Sequence, residues 1–157
     1  MTPAIEAAKA AGVAVTPHEY AHDPNQRNYG LEAAEALGLE PRRVFKTLLV
    51  VVNGDKRRLA VAVVPVSGQL DMKAMATACR AKKVEMADPL LAERATGYVV
   101  GGISPLGQKR PLPTIVDLSA RLFDTVFVSG GRRGLDIEIA PADLIRLCGA
   151  SSAPIGK

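Results

Sequence analysis

The sequence predicts an α/β fold of the α+β kind, with a mixed, largely antiparallel sheet or partly closed barrel and peripheral helices. Two β-branched runs flank Asn53-Gly54 within residues 44–66, and this dipeptide favours the positive φ angles of a tight hairpin turn. Strand-like segments outnumber helical ones and do not alternate strictly with them, which disfavours a sheet of parallel βαβ units. With 157 residues, 48% of them hydrophobic, we expect a single domain over 1–157.

Capping and turn residues delimit the predicted helices. Thr2, Asp71 and Asp88 are suited to cap a helix, because their side-chain oxygens accept hydrogen bonds from free backbone N–H groups. Four of the helices end at a glycine, the residue that most readily adopts the left-handed conformation common there. The predicted helices cover residues 2–12, 31–38, 71–79, 88–97 and 141–149.

Segments rich in β-branched residues predict the strands. Pro17 places the first strand at a sheet edge, because proline cannot donate a ladder hydrogen bond. A short strand at the start of 98–108 is expected to break into a glycine-rich loop, and the tail 150–157 is expected to be mobile. The predicted strands cover residues 13–20, the two arms of the hairpin in 44–66, 112–119, 125–131 and 135–141.

Residues 18–22, HEYAH, match the H-E-x-x-H signature of zinc peptidases, which requires a helix that brings both histidines onto one face. Pro17 and Pro24 flank the segment and disfavour a helix. On a strand His18 and His22 would lie roughly 13 Å apart, too far for one zinc ion. We therefore expect a strand running into a loop, with no metal.

The net charge is +4 and the basic residues form short clusters, which could contact phosphates but also occur at solvated turns. Aromatic residues make up 4% of the chain and Trp is absent, which disfavours a single-strand binder built on base stacking. The start of the chain lacks a secretory pattern, the apolar runs are too short to span a membrane, and two cysteines do not suggest disulfides. We expect a cytoplasmic protein without a membrane partner.

Three stretches remain as candidates for chemistry, since no P-loop, dinucleotide fingerprint or G-x-S-x-G elbow is present. Lys46 enters an apolar strand and either extends to water or lies at the mouth of a pocket. The loop 101–107, GGISPLG, is a plain turn or a set of backbone N–H groups that bind an anion. Residues 129–141 are a hairpin with a solvated face or part of a site containing Asp136.

Taken together, FKTLLV, GGISPLGQ and SGGRRGLDIEIAPADL resemble the YbaK/EbsC family, and most closely its Cys-tRNA(Pro) deacylase branch. The resemblance also covers MTPAI, HDPN and KKVEMAD. It implies a freestanding editing hydrolase, similar to the editing domain of prolyl-tRNA synthetase, that deacylates tRNA(Pro) mischarged with cysteine. A second, hydrolytic site is needed because a binding pocket rejects a side chain of similar size only weakly. The implied partners are the acceptor end of mischarged tRNA(Pro) and prolyl-tRNA synthetase, and no cofactor is implied.

The resemblance also implies a mechanism in which the thiol of the substrate attacks its own ester carbonyl. The protein then supplies positioning and charge stabilisation rather than a nucleophile. Lys46 is the implied catalytic residue. The other implied site residues bind the substrate: Tyr20 walls the pocket, Gly101 and Gly102 orient the carbonyl, and Ser129 and Asp136 line the site, Asp136 facing the α-amino group.

Two alternatives are kept beside this hypothesis. A sibling deacylase for Ala-tRNA(Pro) or another small amino acid would share the lysine but would need an activated water. A non-catalytic module that binds tRNA or the synthetase would bind without turnover, even after Lys46→Ala.

Overall fold

The Asn53-Gly54 turn joins two inner strands of the larger of two sheets in the computed structural model, which describes residues 1–157. Asn53 and Gly54 have φ angles of 54° and 70°, as a tight hairpin turn requires. The turn connects strand β2 (Phe45–Val52) to strand β3 (Asp55–Pro65). The pairing is antiparallel and places Lys46 opposite Val64. The predicted hairpin is therefore confirmed.

The remaining elements follow the predicted order closely. Thr2 accepts a hydrogen bond from the Ile5 N–H, and the Asp71 and Asp88 carboxylates cap their helices in the same way. The helices are α1 (Pro3–Ala10), α2 (Tyr29–Leu37), α3 (Met72–Ala78), α4 (Pro89–Thr96) and α5 (Pro141–Cys148). The other strands are β1 (Thr16–Glu19), β4 (Val84–Met86), β5 (Thr114–Asp117), β6 (Val126–Arg132), β7 (Leu135–Ile139) and β8 (Ser151–Ala153).

The strands form two open sheets rather than a barrel. The five-stranded sheet has the order β4-β2-β3-β5-β8, with antiparallel pairs around β2 and parallel pairs on either side of β5. The three-stranded sheet has the order β1-β7-β6 and is antiparallel throughout. The mixed, largely antiparallel architecture is thus confirmed, and the barrel alternative is not.

Alternate residues of β2 and β3 pack into two different apolar clusters, because successive side chains of a strand point to opposite faces. On one face, Val50 and Val64 pack with Met75 of α3 and with Ile155. On the other face, buried residues such as Val61 pack with α4, with α5 and with the three-stranded sheet. The two sheets therefore share one core, and β2 lies where they meet.

Two predictions for local structure are wrong. The short strand expected at the start of 98–108 is absent, and only the glycine-rich loop is present; the Val100 N–H, for example, donates to the Glu93 carboxylate instead of to a neighbouring strand. The tail predicted to be mobile is ordered: β8 pairs with β5, and Ile155 is fully buried. The buried Asp117 carboxylate holds this tail by accepting hydrogen bonds from the N–H groups of Ile155 and Gly156, at 2.9 and 2.8 Å. None of the five helices is both long and apolar enough to cross a membrane.

Candidate active site

The first half of β2 borders a cavity of about 310 Å³. Strand β4 pairs with β2 only at Val50–Val52, so the preceding residues of β2 have no strand beside them on that side. The walls of the cavity come from this open part of β2, the start of α2, the connection from β4 to α4, the loop at 100–103 and the β6–β7 pair. The cavity therefore lies where the two sheets and the glycine loop converge.

Five of the six predicted site residues line this cavity. They are Tyr20, Lys46, Gly101, Ser129 and Asp136. Gly102 does not line it: its N–H already donates to the Val99 carbonyl at 2.8 Å. A Cβ on Gly102 would lie 2.8 Å from the Arg132 Cα, so this glycine permits close packing of the loop against the β6–β7 turn.

Lys46 is half-buried, and its Nζ donates a hydrogen bond to the Gly68 carbonyl at 3.1 Å. No carboxylate forms an ion pair with it. Burial lowers the pKa of this amine, because the charged form loses hydration. The ammonium group is thus held by a single neutral acceptor and can interact with further negative charge in the cavity.

Asp136 lies on β7 directly opposite Ser129 of β6 and is only 5% exposed. No group of the chain donates a hydrogen bond to its carboxylate, and burial raises its pKa to about 7. Burial, together with the nearby Asp136 charge, raises the pKa of Tyr20 to about 12, so this phenol stays neutral. The cavity therefore contains an unpaired acid whose ionised form a cationic ligand would stabilise.

Gly101 is fixed in a conformation that suits glycine alone. Its φ is 88°, and a Cβ at this position would lie 2.8 Å from the Tyr29 ring. The ring is held in turn by Arg133, whose guanidinium lies 4.8 Å from the ring centre and donates to the Val100 carbonyl. The N–H of Gly101 has no hydrogen-bond partner within the chain, so it can donate to a bound ligand.

Two lining residues were not found by sequence reasoning. Thr47, next to Lys46, has a side-chain oxygen that is fully buried and has no hydrogen-bond partner. Tyr29 shapes the wall that contacts Gly101. An isolated Thr in a strand or Tyr at a helix start is too common to predict a site. The only sequence feature that could have indicated one of them is the position of Thr47 beside a lysine in an apolar strand.

The histidines of HEYAH lie apart from each other and each contacts a carboxylate. His18 lies on β1, where its Nε2 is 3.0 Å from Glu138. His22 lies in the following loop, where its Nδ1 is 2.7 Å from Glu32. The predicted strand running into a loop is confirmed.

The residues of the cavity indicate what it can do chemically. No His or Cys lines it, and the Ser129 hydroxyl accepts a hydrogen bond from the Gly131 N–H at 3.1 Å but forms none with the carboxylate of Asp136 on the neighbouring strand. What it offers is a cation, a free backbone donor and a buried acid. Such groups can orient a substrate and stabilise developing charge, while the nucleophile comes from elsewhere.

Residues 23–147 match the family model described as the aminoacyl-tRNA editing domain. The chain is 43% identical to EbsC of Enterococcus faecalis, whose name proposes a Cys-tRNA(Pro)/Cys-tRNA(Cys) deacylase; the match covers 78% of this chain and 73% of that relative. It is also 31% identical to the uncharacterised protein YwhH of Bacillus subtilis, over 72% of this chain and 70% of the relative.

Two solved structures share this fold over almost the whole chain. The hypothetical protein APE2540 is 25% identical, with a TM-score of 0.86 and 99% of each chain covered. A protein described as a proposed trans-editing enzyme for prolyl tRNA synthetase is 24% identical, with a TM-score of 0.82 and 98% and 92% of the two chains covered. The predicted fold class agrees with both.

Proposed function

The chain belongs to the aminoacyl-tRNA editing family and resembles its YbaK/EbsC members, which makes it an aminoacyl-tRNA deacylase, and we propose that its substrate is tRNA(Pro) mischarged with cysteine. The observation that supports this most is the cavity, in which a lysine, a free backbone N–H and an unpaired acid surround a space that no His or Cys lines. A cysteinyl ester brings its own nucleophile, so it suits such a site better than esters of other small amino acids.

In the proposed reaction the substrate sulfur attacks the carbonyl carbon of its own ester. A C–S bond forms, the C–O bond to the terminal ribose breaks, and the ribose oxygen leaves with a proton. The products are a four-membered thiolactone and free tRNA, and water then opens the thiolactone to cysteine. A cysteine thiol is a few per cent thiolate near pH 7, which already makes it a good nucleophile.

Each of the six predicted site residues has a proposed role. The Lys46 ammonium stabilises negative charge on the ester or on the terminal nucleotide. The Gly101 N–H donates to the oxyanion that develops on the carbonyl. The Asp136 carboxylate binds the α-ammonium group, and Tyr20 and Ser129 close the walls around the amino acid. Gly102 acts only through packing of the loop.

A second candidate is favoured by Asp136, whose unpaired carboxylate has a pKa of about 7 and could accept a proton from a water molecule in the cavity. A water nucleophile would suit a sibling deacylase for Ala-tRNA(Pro) or another small amino acid. The partners proposed with either substrate are the tRNA acceptor end and prolyl-tRNA synthetase. We propose a cytoplasmic location, where tRNA is charged.

The test follows ester hydrolysis of Cys-tRNA(Pro), Ala-tRNA(Pro) and a serine-charged tRNA, together with Cys-tRNA(Pro) whose thiol is alkylated. We expect rapid loss of the unmodified cysteinyl ester only. Lys46→Ala should abolish this activity, whereas Lys56→Ala, at the exposed tip of the same hairpin, should not. Equal hydrolysis of the alkylated ester would refute the thiol mechanism, and preferential loss of the alanyl ester would favour the sibling deacylase. Binding without any hydrolysis would indicate a non-catalytic module.

A further inference from the structure

A second, larger cavity of about 550 Å³ lies at the end of β2 opposite to Lys46. Its walls are the start of β3, the end of α3, the segment before β5 and the turn before β8. Leu59 and Ile115, both buried, form part of an apolar floor. None of its lining residues lines the catalytic cavity.

The charges around this cavity are all of one sign. Arg57, Arg58, Arg80 and Arg110 line it, and no Asp or Glu does. Arg57 is paired with Asp55 at 3.6 Å, but the side chains of the other three arginines form no ion pair or hydrogen bond within the chain. They are exposed, in a protein that has 16 acidic residues available. Three unpaired guanidinium groups around one concavity create a local field that attracts anions.

The backbone at Arg80 is a second, independent observation. Helices α2, α4 and α5 end at left-handed glycines, and α1 ends at Ala11 followed by left-handed Gly12. Helix α3 ends in the same way as α1, but the left-handed residue after Cys79 is Arg80, with φ 55°. A side chain in this conformation costs about 1 kcal/mol that glycine would avoid. At the end of α3, beside the cavity, the chain thus has a cation at the position where its other helices have glycine.

We propose that these three arginines form a binding site for the phosphodiester backbone of RNA, outside the cavity that contains the ester. A guanidinium group donates two parallel N–H bonds to one phosphate, which suits arginine to this ligand better than lysine. Lys46, near the start of β2, and Val52, at its end, are about 20 Å apart at 3.3 Å per residue. Several nucleotides span that distance, so an RNA whose 3′ end enters the catalytic cavity can place phosphates here. The choice of RNA rests on the proposed function.

The test measures binding of uncharged tRNA by fluorescence anisotropy at several salt concentrations. The cavity variant replaces Arg58, Arg80 and Arg110 by Gln. The control variant replaces exposed Arg94, Arg121 and Arg146 by Gln, which removes the same charge outside both cavities. We expect at least about tenfold weaker binding and a salt slope smaller by about 2 to 3 for the cavity variant, because each lost phosphate contact lowers that slope by about one. The control should change binding less than about threefold.

Arg80→Gly separates binding from folding. It removes one cation and relieves the left-handed backbone, so thermal stability should rise while RNA affinity falls. An equal loss of affinity in the cavity and control variants would overturn the proposal, because net charge alone would then explain binding. Unchanged RNA binding with lost binding to an acidic protein partner would also overturn it.

Uncharged tRNA makes this test independent of ester chemistry. If wild-type protein hydrolyses no ester but loses tRNA affinity specifically through these arginines, the RNA site stands and the proposed substrate fails. If hydrolysis is efficient and the cavity variant binds like wild type, the RNA site fails alone. In the expected case the cavity variant raises KM for charged tRNA and leaves kcat within about twofold of wild type.

Discussion

Replacing Asp136 by Asn should make the protein more stable above neutral pH while removing most of its activity. Burial raises the pKa of this carboxyl from 3.8 to about 7, so the folded protein keeps a proton here that the unfolded chain releases near pH 4. Each pKa unit corresponds to about 1.4 kcal/mol, which gives an upper bound of about 4 kcal/mol for the ionised form.

The sign of this effect follows from the raised pKa. The contribution of Asp136 to stability is fully present below pH 3.8, falls between pH 3.8 and about 7, and is lost above pH 7, where the folded carboxyl must ionise. Asn cannot ionise and resembles the protonated acid in size and polarity. Its free energy of unfolding should therefore exceed that of wild type by up to about 4 kcal/mol at pH 8 and by less than about 1 kcal/mol at pH 4.

Urea denaturation of both proteins at pH 4, 6 and 8 measures this difference. The matched control is Asp124→Asn, since Asp124 is exposed and makes no hydrogen bond through its side chain. Deacylation should fall at least about 100-fold in Asp136→Asn, because the variant loses the partner of the α-ammonium group. A variant less stable than wild type at pH 8 would refute the reasoning, as would a difference in the free energy of unfolding that does not increase with pH.

Three further substitutions test the site and its support. Gly101→Ala should abolish deacylation and lower the free energy of unfolding by at least about 2 kcal/mol, because the new Cβ would meet the Tyr29 ring. The control is Gly12→Ala, at a left-handed position with open space around it, which should lower the free energy of unfolding by only about 1 kcal/mol and leave activity intact. Equal losses of stability for the two variants in urea denaturation would count against the contact with the Tyr29 ring. Thr47→Val should raise the free energy of unfolding by about 1 kcal/mol, because it removes a buried hydroxyl that has no hydrogen-bond partner. A lower free energy of unfolding than that of wild type would mean that the hydroxyl has a partner. Asp117→Asn should lower the free energy of unfolding by about 2 kcal/mol and speed amide hydrogen exchange at residues 155–156. Unchanged exchange at these residues would show that other contacts hold the tail.

Much of the fold follows from local chemistry and was predictable. The Asn53-Gly54 turn and the caps at Thr2 and Asp88 depend on residues close in sequence, and the structure has them as predicted. Strand β8 was not predictable, because its Ser151–Ala153 segment has little strand propensity. It is a strand because β5 offers a parallel edge and the Asp117 carboxylate holds the residues that follow.

The candidate site also has features that were predictable from the sequence and features that were not. A lone lysine in an apolar strand and an acid on a strand are conspicuous in sequence, and the cavity brings Lys46 and Asp136 together. Gly101 and Gly102 look alike in sequence, and only the path of the loop separates one that faces the cavity from one that packs on Arg132. The raised pKa of Asp136 arises from burial on the central strand of a sheet whose edge strand β1 is distant in sequence, so no local pattern reports it.

A cavity without His or Cys has a practical consequence for detecting this enzyme. Fluorophosphonate and iodoacetamide probes identify hydrolases by labelling an activated serine or cysteine, and neither finds such a group here. Cys148 lies outside both cavities, so its alkylation should leave turnover intact. Proteome-wide profiling with these reagents would miss the enzyme, and an amine-directed reagent aimed at Lys46 would be the probe to develop.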